Sequence, residues 1–195
     1  MMRKKLASQQ AAIWLRENRV IIDTETTGLG PEAEIVEIAA INCAGRVLLN
    51  TFVRPRSAIP AEASAIHGIT DEMVSGAPCW PEVMGKLVSV IGDKKYLAYN
   101  ADFDSRLLRQ TSEQTFGSNA RLFTPLVCWH ECAMLLYADY RDEPGRDGRS
   151  AKWHRLEDAG KYEGVNRLGS AHRAMSDCLM TLGIIEKMAR GGGNE

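Results

Sequence analysis

The chain has 195 residues, 45% of them hydrophobic and 25% charged, with a net charge of −1. That suits one domain with a substantial core; no apolar run approaches the length of a membrane span, and the basic start at Met1 to Lys5 has no apolar segment behind it to make a signal peptide. A cytoplasmic location is therefore expected, and five cysteines (Cys43, Cys79, Cys128, Cys132, Cys178) form no disulfide framework in a chain of this size.

Helix formers with Leu6, Ile13, Trp14 and Leu15 predict a helix over 6–18, leading into a strand over 19–24. Gly28, Gly30 and Pro31 break the chain, after which 35–42 and 47–53 read as two further strands around a turn at Gly45, together an antiparallel meander. Pro55 and Pro60 open a loop; Thr70 is an N-cap for a short helix from Asp71, and Pro81 suits the first turn of a helix running to about Ile91. A short strand over 95–99 feeds a helix from Asn100 to about Thr111, followed by a strand near 121–127 and a helix near 129–138. Arg141 to Ser150 contains no hydrophobic residue, two glycines and a proline, and reads as a mobile surface loop within 140–155. Helices near 155–161 and 171–188 close a single domain over 1–190, and the glycine-rich 191–195 tail is expected to be disordered.

The most informative segment is Val20-Ile21-Ile22-Asp23-Thr24-Glu25-Thr26-Thr27-Gly28. An apolar β-branched run drives into two carboxylates at i and i+2, which share one face of a strand. Like charges so placed repel unless a cation lies between them, and hard oxygen ligands suit Mg²⁺ or Mn²⁺. A strand end with solvated acids is the competing reading. Two more acids stand in defined contexts. Asp104 lies in the first turn of a helix that directly follows a strand. Asp177 borders the apolar stripe Ala174, Cys178, Leu182 and Ile185 of the last helix, within reach of the Asp23 strand end. His172 lies five residues before Asp177, about 140° around a helix, and belongs at the helix start over the mouth of the site. Once four carboxylates are set aside to hold two divalent ions, the rest of the chain carries a positive balance. That balance neither requires nor forbids a polyanionic partner.

Asp23-Thr24-Glu25-Thr26-Thr27-Gly28, Asn100-Ala101-Asp102-Phe103-Asp104 and His172-x4-Asp177 resemble, in order and spacing, the three motifs of the DEDDh (DnaQ-like) exonuclease superfamily. Ile66-His67-Gly68-Ile69-Thr70-Asp71-Glu72-Met73 is similar to the His-Gly-Ile segment of the polymerase III proofreading subunit. The resemblance spans residues 20–188, and His172 points to the histidine rather than the tyrosine subclass. It implies an α/β, ribonuclease H-like fold: a mixed five-stranded sheet flanked by helices. It also implies stepwise removal of nucleotides from a 3′ end by two-metal hydrolysis. Asp23 would bridge both metals, Glu25 and Asp177 would bind the first, and Asp104 would serve the second. His172 would be the general base, since a histidine can take a proton near neutral pH. Thr24, Glu62, His67 and Phe103 would contact the terminal nucleotide.

Other residues keep plainer readings. Asp102 complements the helix dipole, and His130 and His154 are surface or packing histidines. Cys128 and Cys132 are two helical thiols one turn apart rather than a zinc site. Arg141, Arg146, Arg149, Lys152 and Arg155, with Trp153, read either as a path for a phosphate backbone or as a solvated loop diluted by Asp139, Asp142, Glu143 and Asp147. The expected partner is a nucleic acid with a free 3′ end, single-stranded DNA ahead of RNA, with no membrane and no in-chain polymerase tether; a homodimer stays open. Cys128-Trp129 stands where many relatives carry Asp-Thr, which bears on subfamily rather than on catalysis. RNA end-trimming and a non-catalytic nucleic-acid-binding module are the alternative functions.

Overall fold

Val20-Ile21-Ile22 is apolar on both faces, and such a segment belongs in the middle of a sheet covered on both sides. The computed structural model of the protein describes residues 2–123, 129–145, 148 and 150–191. In it, β1 (Val20–Thr26) is the central strand of a five-stranded sheet of order β3-β2-β1-β4-β5. On one side β1 pairs antiparallel with β2 (Ile35–Asn42), which pairs antiparallel with β3 (Val47–Phe52). On the other side β4 (Tyr96–Ala98) runs parallel to β1, and β5 (His130–Cys132) parallel to β4. After β1 the chain turns to one side, to β2, and after the parallel neighbour β4 it goes to the other, to β5, so the carboxyl ends of β1 and β4 meet at the switch point where such sheets hold their ligands. This is the mixed, helix-flanked sheet of the ribonuclease H-like fold.

The period-2 alternation of β1 divides the core. Ile21 joins Ala39, Ile41 and Leu97 under α1 (Met2–Arg16), α6 (Ala133–Arg141) and α8 (Ala174–Arg190). Val20 and Ile22 join Ile38, Ala40 and Tyr96 under α4 (Trp80–Ile91) and α5 (Ala101–Phe116). Helix α1 buries Ala7, Ala11 and Trp14, one stripe at i, i+4 and i+7, against α6 and α8. A third cluster, Val36, Ile59, Ala63, Ile69 and Val74, seats α2 (Ala61–His67) and α3 (Asp71–Val74) beside β2. α7 (Leu156–Glu163) packs on α8. The segment after α7 lies so close to α8 that a Cβ on Gly183 would fall 2.6 Å from Val165 Cγ1. Only glycine admits that approach.

Several sequence expectations are corrected. Gly117–Phe123 is a 3-10 helix, and the fifth strand is His130–Cys132 rather than 121–127. A strand over 121–127 would put Pro125, which cannot donate, into the ladder; residues 124–128 lie outside the described residues. The following helix therefore starts at Ala133, and Cys132 sits on the edge strand; Cys128 is outside the described residues. Helix α2 replaces a predicted loop, since Pro60 occupies its N-cap and Gly68, at φ 73°, ends it with a left-handed residue. Within 140–155, Pro144 bridges Ala151 and the Lys152 amide donates to the Glu143 carbonyl, so this stretch is a small hairpin. Arg146, Asp147, Arg149 and the 192–195 tail lie outside the described residues.

Candidate active site

Asp23 and Glu25 continue the face of β1 that begins at Ile21 and is covered by α8. Cys178 on α8 packs 3.7 Å from the Ile21 and Ala39 carbonyls, which seats Asp177, one residue earlier, beside the strand end. One oxygen from each of Asp23, Glu25 and Asp177 can lie within 4.8 Å of the others. Asp104 arrives from the opposite layer, in the first turn of α5. Thr24, on the other face of β1, donates its hydroxyl to Asp104 Oδ1 at 2.9 Å. The strand thus supplies two carboxylates from its odd residues, Asp23 and Glu25, and the even residue between them, Thr24, orients a third, Asp104, while α8 brings Asp177.

These acids do not ionise independently. Burial, then the charges of Asp104, Asp177, Glu25 and Glu37, push the Asp23 carboxyl well above the usual carboxylate range. Burial and Asp177 raise Glu25 to about 8. Burial raises Asp104 to about 7 against the opposing pull of the Thr24 hydrogen bond. Burial also raises Asp177, offset by the Arg167 guanidinium hydrogen-bonded to it. An all-oxygen set whose members repel one another suits a hard divalent cation, which removes the repulsion that protons otherwise relieve. No other group of three His, Cys, Asp or Glu side chains converges in this way among the described residues.

Two supports escaped the sequence reading. Glu37, 4% exposed and directly opposite Glu25 in the β1–β2 register, accepts from Arg173 Nε at 3.1 Å and Nη2 at 2.7 Å, and from the Ala174 amide at 3.0 Å. It ties the start of α8 to the sheet. An acid inside the otherwise apolar Ile35-Val36-Glu37-Ile38-Ala39-Ala40-Ile41 was the available signal. Arg167, which bonds Ser176 Oγ as well as Asp177, lies on irregular chain and had no such pattern to announce it.

Beside the carboxylates opens a cleft of about 490 Å³, lined among others by Thr24, Gly28, Glu62, His67, Phe103 and His172. His172 is exposed, stands before α8 rather than on it, and has φ 53°, a left-handed backbone that turns the chain between Arg167 and the Glu37-bound Arg173. His67 is buried with both ring nitrogens engaged: the Ile69 amide donates to Nδ1 at 3.0 Å, leaving Nε2–H to donate to the Thr26 carbonyl at 3.2 Å. Burial lowers its pKa, in keeping with this neutral form. It pins the end of β1 to α2 and lines the cleft. Glu62 stands exposed in the first turn of α2, and Phe103 is half-buried with Arg106 over its ring. Asp102 is exposed and lies 3.2 Å from His130 Nε2, outside the cluster. His154 packs in the hydrophobic layer.

The RNase T exonuclease family model matches residues 20–185. The uncharacterized exonuclease CP81 of Escherichia phage 186 is 52% identical over 185 residues, covering 95% of each chain. The solved structure of Exonuclease X in complex with 5′-overhanging duplex DNA shares 30% identity with a TM-score of 0.61, covering 90% of this chain and 93% of that one. The epsilon subunit of DNA polymerase III of Rickettsia conorii is 38% identical over 100 residues, which are 48% of this chain and 43% of that subunit. With the carboxylate cluster at the switch point of a ribonuclease H-like sheet, these similarities show that the chain is an exonuclease of the DnaQ-like family.

Proposed function

We propose that the protein removes nucleotides one at a time from the 3′ end of single-stranded DNA by hydrolysis that depends on two divalent ions, Mg²⁺ or Mn²⁺. The observation that carries this reading is the convergence of Asp23, Glu25 and Asp177 at the side of a cleft about 490 Å³ in volume, within the size range of small-ligand sites and roomy enough for one nucleotide. Asp23, Glu25 and Asp177 would hold one ion, and Asp104, oriented by Thr24, would with Asp23 hold the other. Bound divalent ions supply Lewis-acid stabilisation to the entering and leaving oxygens of an in-line displacement. The protein's own contribution is positional. Phe103 and His67 flank the terminal base and sugar, and Glu62 accepts a hydrogen bond from the terminal hydroxyl. His172, at the mouth of the cleft, takes the proton of the attacking water.

DNA is favoured because Exonuclease X is solved on DNA and the epsilon subunits belong to a DNA polymerase. The 5′-overhanging duplex of the Exonuclease X complex favours a recessed 3′ end as a second substrate. The test is degradation in Mg²⁺ of 5′-labelled DNA and RNA of one sequence, with the DNA both single-stranded and as a recessed duplex. A ladder shrinking from the 3′ end, faster on single-stranded DNA than on RNA, is expected. Internal cuts, or faster loss of RNA, would overturn the reading. His172→Ala is expected to lower kcat by roughly two to four orders of magnitude while leaving binding of the oligonucleotide nearly unchanged. An unaltered kcat would remove His172 from the mechanism.

A further inference from the structure

The hairpin before α7 carries chemistry that the carboxylate site does not use. His154, 4% exposed, is set edge-on between Tyr137 and Tyr162 at ring separations of 5.5 and 5.8 Å, and its carbonyl accepts from Tyr99 Oη at 2.9 Å. Pinning His154 inward throws its neighbours outward: Arg155 is exposed and Trp153 is 65% exposed. They open onto a polar cleft of about 730 Å³ whose lining also includes Lys152, Asp158 and Lys161. Lys152 lies 3.4 Å from Glu143, whereas Arg155 and Lys161 have no carboxylate within 4.0 Å among the described residues. The lining is thus positive despite Asp158, and it presents a large flat ring on a backbone that is already fixed. That combination is what a single-stranded polynucleotide needs, since bases stack on aromatic rings and phosphates seek unpaired cations.

Its placement fits the same substrate. The nucleotide cleft, with Glu62 and His67 on α2, lies on the β2 side of β1. The polar cleft lies on the β4 side, tied to Tyr99, which immediately precedes the Asn100–Asp104 segment. Helix α7, which contributes Asp158 and Lys161 to the polar cleft, packs on α8, whose first turn carries Asp177, so both clefts border elements that bring the carboxylates together.

We infer that the cleft of Trp153, Arg155 and Lys161 binds the single strand 5′ of the nucleotide being removed, one base stacked on Trp153 and its phosphates on Arg155 and Lys161. This rests on the exonuclease reading above. The test compares wild type, Trp153→Ala and the double variant Arg155→Ala/Lys161→Ala. One substrate is the p-nitrophenyl ester of thymidine 5′-monophosphate, which is too short to reach this cleft. The other is an oligodeoxythymidylate of about a dozen nucleotides. Binding of the labelled oligonucleotide is measured separately, by fluorescence anisotropy in EDTA. The ester is expected to be hydrolysed at the wild-type rate by every variant. For the oligonucleotide, Trp153→Ala raises KM and Kd roughly tenfold. The double variant lowers the salt dependence of log Kd by roughly 1.4, about 0.7 for each phosphate that is no longer neutralised. Wild-type KM and Kd in both variants would overturn the inference. A wild type that binds through Trp153 yet hydrolyses neither substrate would keep this cleft and overturn the exonuclease reading. Failure of wild type both to bind and to hydrolyse would overturn both. Unchanged melting temperatures of these surface variants keep the comparison clean.

Discussion

Asp23→Asn is expected to lower 3′-end hydrolysis by at least about a thousandfold and, at the same time, to stabilise the metal-free protein. The two effects have one cause. In the proposed mechanism Asp23 would be a ligand to both ions, so its loss would remove stabilisation of the entering and the leaving oxygen together, worth about 4 kcal/mol or more of barrier. In the metal-free protein the same carboxyl is a liability. Burial and the charges of Asp104, Asp177, Glu25 and Glu37 hold its pKa well above the ordinary range, so folding at neutral pH traps either a repelled charge or a proton. An amide of nearly the same shape removes that penalty, and a gain on the order of 1–3 kcal/mol is expected in EDTA at pH 8, fading toward pH 5.

The pH dependence follows with a definite sign. Glu25 titrates at about 8 in the folded chain against an ordinary 4.5, and Asp104 at about 7 against 3.8. Between those limits the folded state holds protons that the unfolded state has lost. The stability these groups lend is therefore complete below about pH 4, and it drains away as pH rises through 7 and then 8. Melting of the wild type in EDTA should weaken steadily from pH 5 to pH 9. Saturating Mg²⁺ should flatten most of that slope by replacing protons with a cation, and Asp23→Asn should flatten part of it without metal. A melting temperature in EDTA that rises with pH over this interval would contradict the repulsion.

The second large effect concerns Glu37. Its carboxylate takes two guanidinium nitrogens of Arg173 and the first amide of α8, all at 3.1 Å or less. Glu37→Gln keeps the volume but leaves Arg173 facing a neutral amide that presents its own N–H groups to those donors. Breaking one side of a buried charged pair costs about 3–5 kcal/mol. Arg173 is 35% exposed on its side chain and recovers part of that from water. Removing Glu37 also relieves some repulsion at Asp23 and Glu25, where it is among the weaker contributors at Asp23. Direct hydrogen bonds outweigh that relief, so a net loss of about 2–4 kcal/mol in urea unfolding is expected. kcat should also fall, because His172 and Asp177 flank the anchored segment. A loss below about 1 kcal/mol would show that α8 is held by its apolar stripe alone.

What could be read without coordinates divides along physical lines. β1 announced itself because an apolar run ending in Asp23 and Glu25 has few other uses, and period 2 put both acids on one face. α8 announced itself through Ala174, Cys178, Leu182 and Ile185. The fifth strand did not: at three residues, His130–Cys132 is too short to show a period, while the longer apolar stretch around Leu122 to Val127 mimics one. α2 was hidden because Pro60 signals both a loop and a helix start. Arg167 acts on a partner 10 residues away with no local pattern to mark it, while the acid in the apolar run of β2 marks Glu37 as unusual but not its partner 136 residues on.

Mn²⁺ titration followed by electron paramagnetic resonance, with hydrolysis of 5′-labelled single-stranded DNA measured on the same samples, decides whether the Asp23 cluster is a two-ion hydrolytic centre. Two ions per wild-type chain, hydrolysis that tracks their occupancy and stops in EDTA, and loss of both in Asp23→Asn are predicted. Full-rate hydrolysis in EDTA, or Mn²⁺ occupancy unchanged by Asp23→Asn, would contradict a two-ion centre.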